Sequence, residues 1–414
     1  MIQYTKNILD NGLSVICNTD TGTPFVSVNL LYKVGARDED PARTGFAHLF
    51  EHLMFGGSTH VDDYDFHVQQ AGGDSNAFTN NDYTNYYVTI PAPNVETALW
   101  LESDRMQGLA FSERSLDVQR HVVIEEYKQR YLNAPYGDVW LHLRPLTYKV
   151  HPYRWPTIGK SIDHIANATL EDVKNFFHRF YAPDNAILSI SGNIDSGEAL
   201  RLAQKWFGDI PPARYERPRL PQEPRQTEER RLTVEGNNVP ADAIYKAFHM
   251  GDRLSDDFYA CDIISDILSN GQSSRLYVNL IKNSKIFSEI DAYVTGDMDP
   301  GLFVFSGKLS EGVDIGTAEQ AIQHEIEQFI QDPISERELQ KVINKTEARI
   351  AYSEINYQGK SANLAFFDYL GDIALINDEC SRYRNISVET IKNTARAMFS
   401  PENCSTLWYL KNKK

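Results

Sequence analysis

Two stretches decide how this chain is read: TLEDVKNFFHRFYAPDN, Thr169–Asn185, and SVETIKNTARAMFSPEN, Ser387–Asn403. They align without a gap, Pro183 on Pro401 and Asn185 on Asn403, at a constant offset of 218 residues. Each opens on a Ser/Thr cap with Glu two residues later and runs on as an amphipathic helix. Each then stops at Pro and enters an apolar strand, AILSISG in one and STLWYL in the other. Shared cap, stop and strand indicate a duplicated domain.

A duplication suits a chain of 414 residues, since two domains of about 200 residues each can build a full core. Between the halves lies IPPARYERPRLPQEPRQTEERR, Ile210–Arg231, whose prolines and like-signed clusters cannot continue a helix or a central strand. The expected division is therefore residues 1–209, a linker over 210–231, and a homologous second domain over 232–414. In the first half the strands VSVNLLYKVG, TNYYVTIPA and AILSISG alternate with pairs of helices rather than single crossovers. The second half repeats this with AIYKAFHMG and FVFSGKL as strands. The expected class is α+β, each domain a mainly antiparallel sheet with helices layered on one face.

Composition narrows the function. Hydrophobic residues at 42% and charged residues at 24% are ordinary for globular domains. A formal net charge of -16 argues against nucleic acid as a partner; it would suit cationic peptides, although keeping the surface soluble is the plainer reading. Cys17, Cys261, Cys380 and Cys404 are isolated, which reads as reduced thiols in the cytoplasm. The start, MIQYTKNILDNGLSVI, lacks an apolar signal core and reads as a strand entering an Asn11-Gly12 turn. No apolar run approaches the roughly 18 residues that span a membrane.

The chemistry concentrates in HLFEHLMFGG, His48–Gly57. On a helix His48 and His52 stand at i and i+4 on one face, so both imidazoles can reach one ion. Glu51 flanks that face and can serve as general base to a metal-bound water; zinc is the ion this chemistry suits. The order H-x-x-E-H inverts the commoner zinc-hydrolase motif. A third ligand is required, and VQRHVVIEEYKQR offers Glu125 and Glu126. Glu126 has Val122 and Val123 one turn behind it, which places it on the more buried side; both glutamates stay open on this evidence.

These motifs resemble the pitrilysin-type zinc metallopeptidases, the family of insulin-degrading enzyme and the mitochondrial processing peptidase. HLFEHLMFGG is similar to the family's inverted zinc motif. GGDSNAFTNNDYTNYYV (Gly72–Val88) resembles its edge strand, QRHVVIEE (Gln119–Glu126) its third-ligand segment, and NGQSSRLYVNL (Asn270–Leu280) a segment of its non-catalytic repeat. The resemblance covers nearly the whole chain. It implies His48, His52 and Glu126 as ligands of one zinc ion, Glu51 as the water-activating base, and Asn76, Ala77 and Phe78 on a strand to which an extended peptide adds. It also implies half of a clamshell that encloses peptide substrates and pairs with a related subunit or a second copy.

Two departures from the family stand out. Gln119 stands where a second-shell Glu is usual. Lys282 and Ser288 stand near the Arg and Tyr, two helical turns apart, that grip the substrate carbonyl. The expectation is a heterodimer in which this chain supplies zinc and another the grip. The alternative is a peptide-binding or scaffold subunit with little activity.

Overall fold

The computed structural model describes residues 1–236, 238–332 and 334–412. Eleven strands are found among them: β1 Thr5–Ile8, β2 Ser14–Thr19, β3 Phe25–Tyr32, β4 Asp74–Thr79, β5 Thr84–Pro91, β6 Ala186–Gly192, β7 Arg230–Gly236, β8 Ala243–His249, β9 Phe287–Val294, β10 Leu302–Leu309 and β11 Cys404–Lys411. They form one sheet of order β1-β2-β6-β3-β5-β4 and another of order β7-β11-β8-β10-β9. In each a single parallel pair, β2 with β6 or β7 with β11, sits in an otherwise antiparallel ladder. The second order repeats the first from β2 onward, so the duplication read from one helix extends to whole sheets. The α+β reading holds.

The repeated stretches fold as their residues dictate. Thr169 and Ser387 cap the helices Leu170–Phe180 and Val388–Met398, each hydroxyl accepting from the amide three residues on. Both helices end in a short turn, Pro183–Asn185 or Pro401–Asn403. The matched asparagines do the same work: Asn185 Nδ2 donates to Phe180 O and Asn403 Nδ2 to Met398 O, at 2.7 and 2.8 Å. Each amide satisfies a carbonyl that the helix end leaves open.

The chain separates into two compact units that are not its two contiguous halves. The first takes residues 1–127, 155–220 and 350–378, the second 128–154, 221–349 and 379–414. Each unit thus borrows one helix from the other half of the sequence. The borrowed helices, Tyr357–Tyr369 and Val139–Thr147, begin 218 residues apart, the offset of the repeat itself. Residues 211–229 carry neither helix nor strand, yet they are pinned: Asp184 accepts from the amides of Ala213 and Arg214, and Glu223 from those of Lys149, Val150 and His151.

Alternation along β3 explains the first unit's layers. Tyr32 points to one face, where its ring meets Tyr86 and Tyr181, and Tyr181 stacks on Phe50. Ser27 points to the other and lies 2.9 Å from Ser361 on the borrowed helix Tyr357–Tyr369. That second face is polar, and at its centre Asn29 and Asn85 exchange side-chain hydrogen bonds of 2.9 and 2.8 Å. The first sheet is therefore covered on both faces rather than on the one expected, because a second cover comes from sequence more than 300 residues away. In the second unit the borrowed helix joins a core of Leu143, Tyr245, Ala247, Val304 and Leu407.

On the opposite face of β8, Lys246 is buried and its ammonium donates to Glu319 Oε1 at 3.0 Å, while Arg231 and the Trp408 indole also donate to that carboxylate. Burial alone would push Glu319 up, but Arg231 and Lys246 outweigh it and hold the carboxyl down at about 2. Glu319→Gln leaves the buried Lys246 without its counter-charge and is expected to cost about 3 kcal/mol in urea unfolding. Because the folded carboxyl titrates below its ordinary 4.5, its contribution is present above that value and lost as pH falls toward 2. Wild-type stability should decline across that window more steeply than that of the variant.

Candidate metal centre

His48, Glu51 and His52 lie on the helix Phe46–Leu53, which buries Phe46, Ala47, Leu49, Phe50 and Leu53 and leaves the two histidines half-buried. The helix packs beside β4 and β5. Its start is set by Gly45, whose φ of +93° is left-handed and whose Cβ, were there one, would meet Ile158 O at 2.6 Å. Only glycine fits there, so the cap must come from another residue. Glu39 supplies it: one carboxylate oxygen accepts from the Gly45 amide and the other from Ala47, each at 2.8 Å. Burial pushes the Glu39 carboxyl up, while the two amides, each donating to one of its oxygens, favour the ionised form. Glu39 leaves no trace in the sequence pattern, because it lies six residues before the residue whose amide it caps.

The second helix, Glu113–Tyr127, crosses the first and runs on into a π-helical segment, Lys128–Asn133. Leu116, Val123 and Tyr127 form its buried stripe. Glu126 flanks that stripe and is half-buried, whereas Glu125 is exposed. The reason differs in part from the sequence argument: Val123 is buried, but Val122 is 44% exposed. Gln119, two turns before Glu126, is half-buried on the same side of the helix.

The two helices bring three donors together. Glu126 Oε2 lies 3.3 Å from His52 Nε2 and 3.6 Å from His48 Nε2. The three ligand atoms all fall within 4.8 Å of one another. Donors at about 2.0–2.1 Å from a tetrahedral ion stand about 3.3 Å apart, so this set fits one divalent ion with little movement. Two neutral imidazoles and one carboxylate, with a fourth position open, are the donor set of catalytic zinc. Beneath Glu51 the phenols of Tyr86 and Tyr181 meet at 3.2 Å; burial, reinforced by the Glu51 charge, pushes both well up. Below them Arg105 forms a buried ion pair with Glu102, its guanidinium over the rings of Tyr64 and Tyr86. This layer gives the helix a rigid floor.

Asn76, Ala77 and Phe78 lie on β4, an edge strand, paired with Tyr87, Tyr86 and Asn85 of β5. Asn76 and Phe78 are exposed and Ala77 half-buried, and the Asn76 side chain accepts from the Ala77 amide at 2.8 Å. Lys282 and Ser288 belong to the second unit. Lys282 is exposed in the π-helical segment Tyr277–Asn283, and Ser288 lies on β9 with its hydroxyl donating to Lys308 O. They do not share a helix, so the spacing of two helical turns is not kept. Other histidines of the first half have other partners: His60 pairs with Asp104, His121 with Asp117, His142 with Asp138, His151 with Asp299, and His164 with Thr44, while the His67 ring meets Trp100 and the His178 ring Phe177.

Comparison with known proteins places the chain in a family. Residues 14–158 match the model of Insulinase (Peptidase family M16), and residues 167–346 that of the Peptidase M16 inactive domain. The chain is 28% identical over 409 residues to the zinc protease PqqE of Helicobacter pylori, covering 97% of this chain and 91% of that protein. A crystal structure of a protease from Helicobacter pylori superposes with a TM-score of 0.93 at 26% identity, covering 99% of this chain and 100% of that one. The periplasmic protease PqqL from Escherichia coli shares the fold, with a TM-score of 0.81 at 18% identity over 99% of this chain but 48% of that chain. Matched along both halves, and with relatives that span its length, the chain belongs to peptidase family M16, the pitrilysin-type metallopeptidases.

Proposed function

We propose that this chain is a zinc-dependent endopeptidase that hydrolyses peptide bonds of extended peptides or unfolded segments within a closed chamber. The observation that carries the reading is the convergence of His48, His52 and Glu126 within 4.8 Å, with Glu51 on the same helix. One zinc ion per chain, when bound there, would polarise the scissile carbonyl and acidify a water. His48 and His52 hold their end of the site through Nε2 and Glu126 through Oε2. Glu51 accepts the proton of the attacking water and returns it to the leaving amine. Residues Asn76–Phe78 present main chain to the peptide as an added strand, which accounts for tolerance of varied sequences.

The assembly reading rests on the degenerate grip. Lys282 can donate to a carbonyl, but Ser288 lacks a phenol and its hydroxyl is committed to Lys308 O. A related chain carrying the Arg and Tyr would complete the site as a heterodimer, the other arrangement being a pair of identical chains. PqqL, a chain that this one matches over 48% of its length, gives a precedent in fold for two such halves. Among the described residues no helix is long and apolar enough to cross a membrane. Cys17, Cys261 and Cys404 are buried free thiols, in keeping with a reducing compartment such as the cytoplasm.

Glu51→Gln should lower peptide cleavage by a factor of about 10²–10⁴ while zinc content stays at one per chain; retained cleavage contradicts the assignment. Glu126→Ala should release zinc on dialysis and Glu125→Ala should not, as read by metal analysis. Purified alone, the wild-type chain should cleave little, and robust cleavage by the isolated chain removes the case for a heterodimer.

A further inference from the structure

The turn before the metal helix connects four parts of the first unit. Its peptide amides at Ala36 and Arg37 donate to Asn80 O and Asn81 O in the loop joining β4 to β5, at 3.1 and 2.9 Å. The Arg37 guanidinium pairs with Asp82 at 3.0 Å and donates to Tyr369 Oη at 2.9 Å. The Trp155 indole donates to Ala36 O at 2.9 Å. At the end of this turn, Glu39 reaches the first turn of the metal helix through its two amide contacts. One short segment thus holds both the peptide-binding edge and the helix that carries His48, Glu51 and His52.

We propose that Glu39 is a positioning residue for the metal site: its carboxylate fixes the rotation and axial register of the helix so that His48 and His52 meet Glu126. This rests on the zinc peptidase reading above and deepens it. The physical reason is the shortness of the helix. Eight residues make about two turns, too few to hold a register by their own hydrogen bonds. Gly45, at the cap position, has no side chain to help. A bidentate carboxylate locks two amides at once, Gly45 and Ala47, and the residue after Ala47 is His48. Loss of either contact lets the first turn fray, and a displacement of a few tenths of an ångström at His48 is enough to spoil a ligand set. Through Ala36 and Arg37 the same clamp sets the distance from β4 to the ligands, and so the place of the scissile bond relative to the metal.

The test compares the full-length wild-type chain with Glu39→Gln, which keeps shape but leaves only one acceptor oxygen. Thr169→Ala, a lost cap on a helix without ligands, is the stability control. Zinc affinity is measured by competition with a chelating dye, and ligand geometry by the visible spectrum of the cobalt(II)-loaded protein. Expected is at least a tenfold weaker zinc affinity and an altered cobalt spectrum for Glu39→Gln, with both unchanged in Thr169→Ala. A Glu39→Gln protein that melts earlier but binds zinc within twofold of wild type, with the same spectrum, overturns the proposal and leaves an ordinary cap. If Glu39→Gln does not fold, Glu39→Asp, one methylene short, should show the same loss in folded protein, and wild-type affinity there overturns the proposal equally. Failure of the wild type itself to bind zinc refutes the peptidase reading, and this inference with it.

Discussion

Everything in the first unit answers one geometric demand: three donor atoms from two different helices must stand about 3.3 Å apart around a common point. Two come free with the helix, because i and i+4 share a face. The third does not. It depends on where the helix Glu113–Tyr127 crosses and on which of two adjacent glutamates faces inward. Burial of Leu116, Val123 and Tyr127 sets that rotation and turns Glu126 toward the histidines and Glu125 toward solvent. The aromatic layer of Tyr32, Phe50, Tyr86 and Tyr181 then fixes the height of the histidine helix above the sheet.

The two units show how a shared fold is divided between tasks. Both sheets have the same order and each takes a helix from the other half of the chain. In the second unit the helix Asp256–Ser269 packs on β9 as the histidine helix packs on β4, but it carries no histidine. Buried charge has moved as well. The first unit holds Glu102 with Arg105 under the metal centre, while the second holds Lys246 with Glu319. Lys246 stands 218 residues after Val28, a buried apolar position of β3. Charge in the first unit braces the floor of a site, and in the second it joins β8 to the helix Ile315–Gln331.

Much of this was legible in the residues, for identifiable reasons. Local patterns carried the histidine pair, the caps at Thr169 and Ser387, and the strands β3, β5, β6, β8, β10 and β11, because each is set by neighbours within a few positions. Glu126 was narrowed to one of two by burial, although Val122 proved exposed. What stayed hidden was non-local. The exchange of helices cannot be seen in a periodicity, and neither can a sheet face lined with Ser27, Asn29 and Ser189 that is polar yet buried. Glu39 was hidden among Asp38, Glu39 and Asp40, three acids in a row, with nothing to tell which one turns inward. Likewise Lys282 and Ser288 read as a helical pair until β9 began between them.

The claim on which the rest depends is that His48, His52 and Glu126 form one closed ligand set. Anomalous X-ray scattering from crystals grown with zinc, collected on both sides of the zinc edge, addresses it directly. The account predicts one strong peak per chain, about 2.1 Å from His48 Nε2, His52 Nε2 and Glu126 Oε2. No peak at that point, or a peak liganded by Glu125 in place of Glu126, would contradict it.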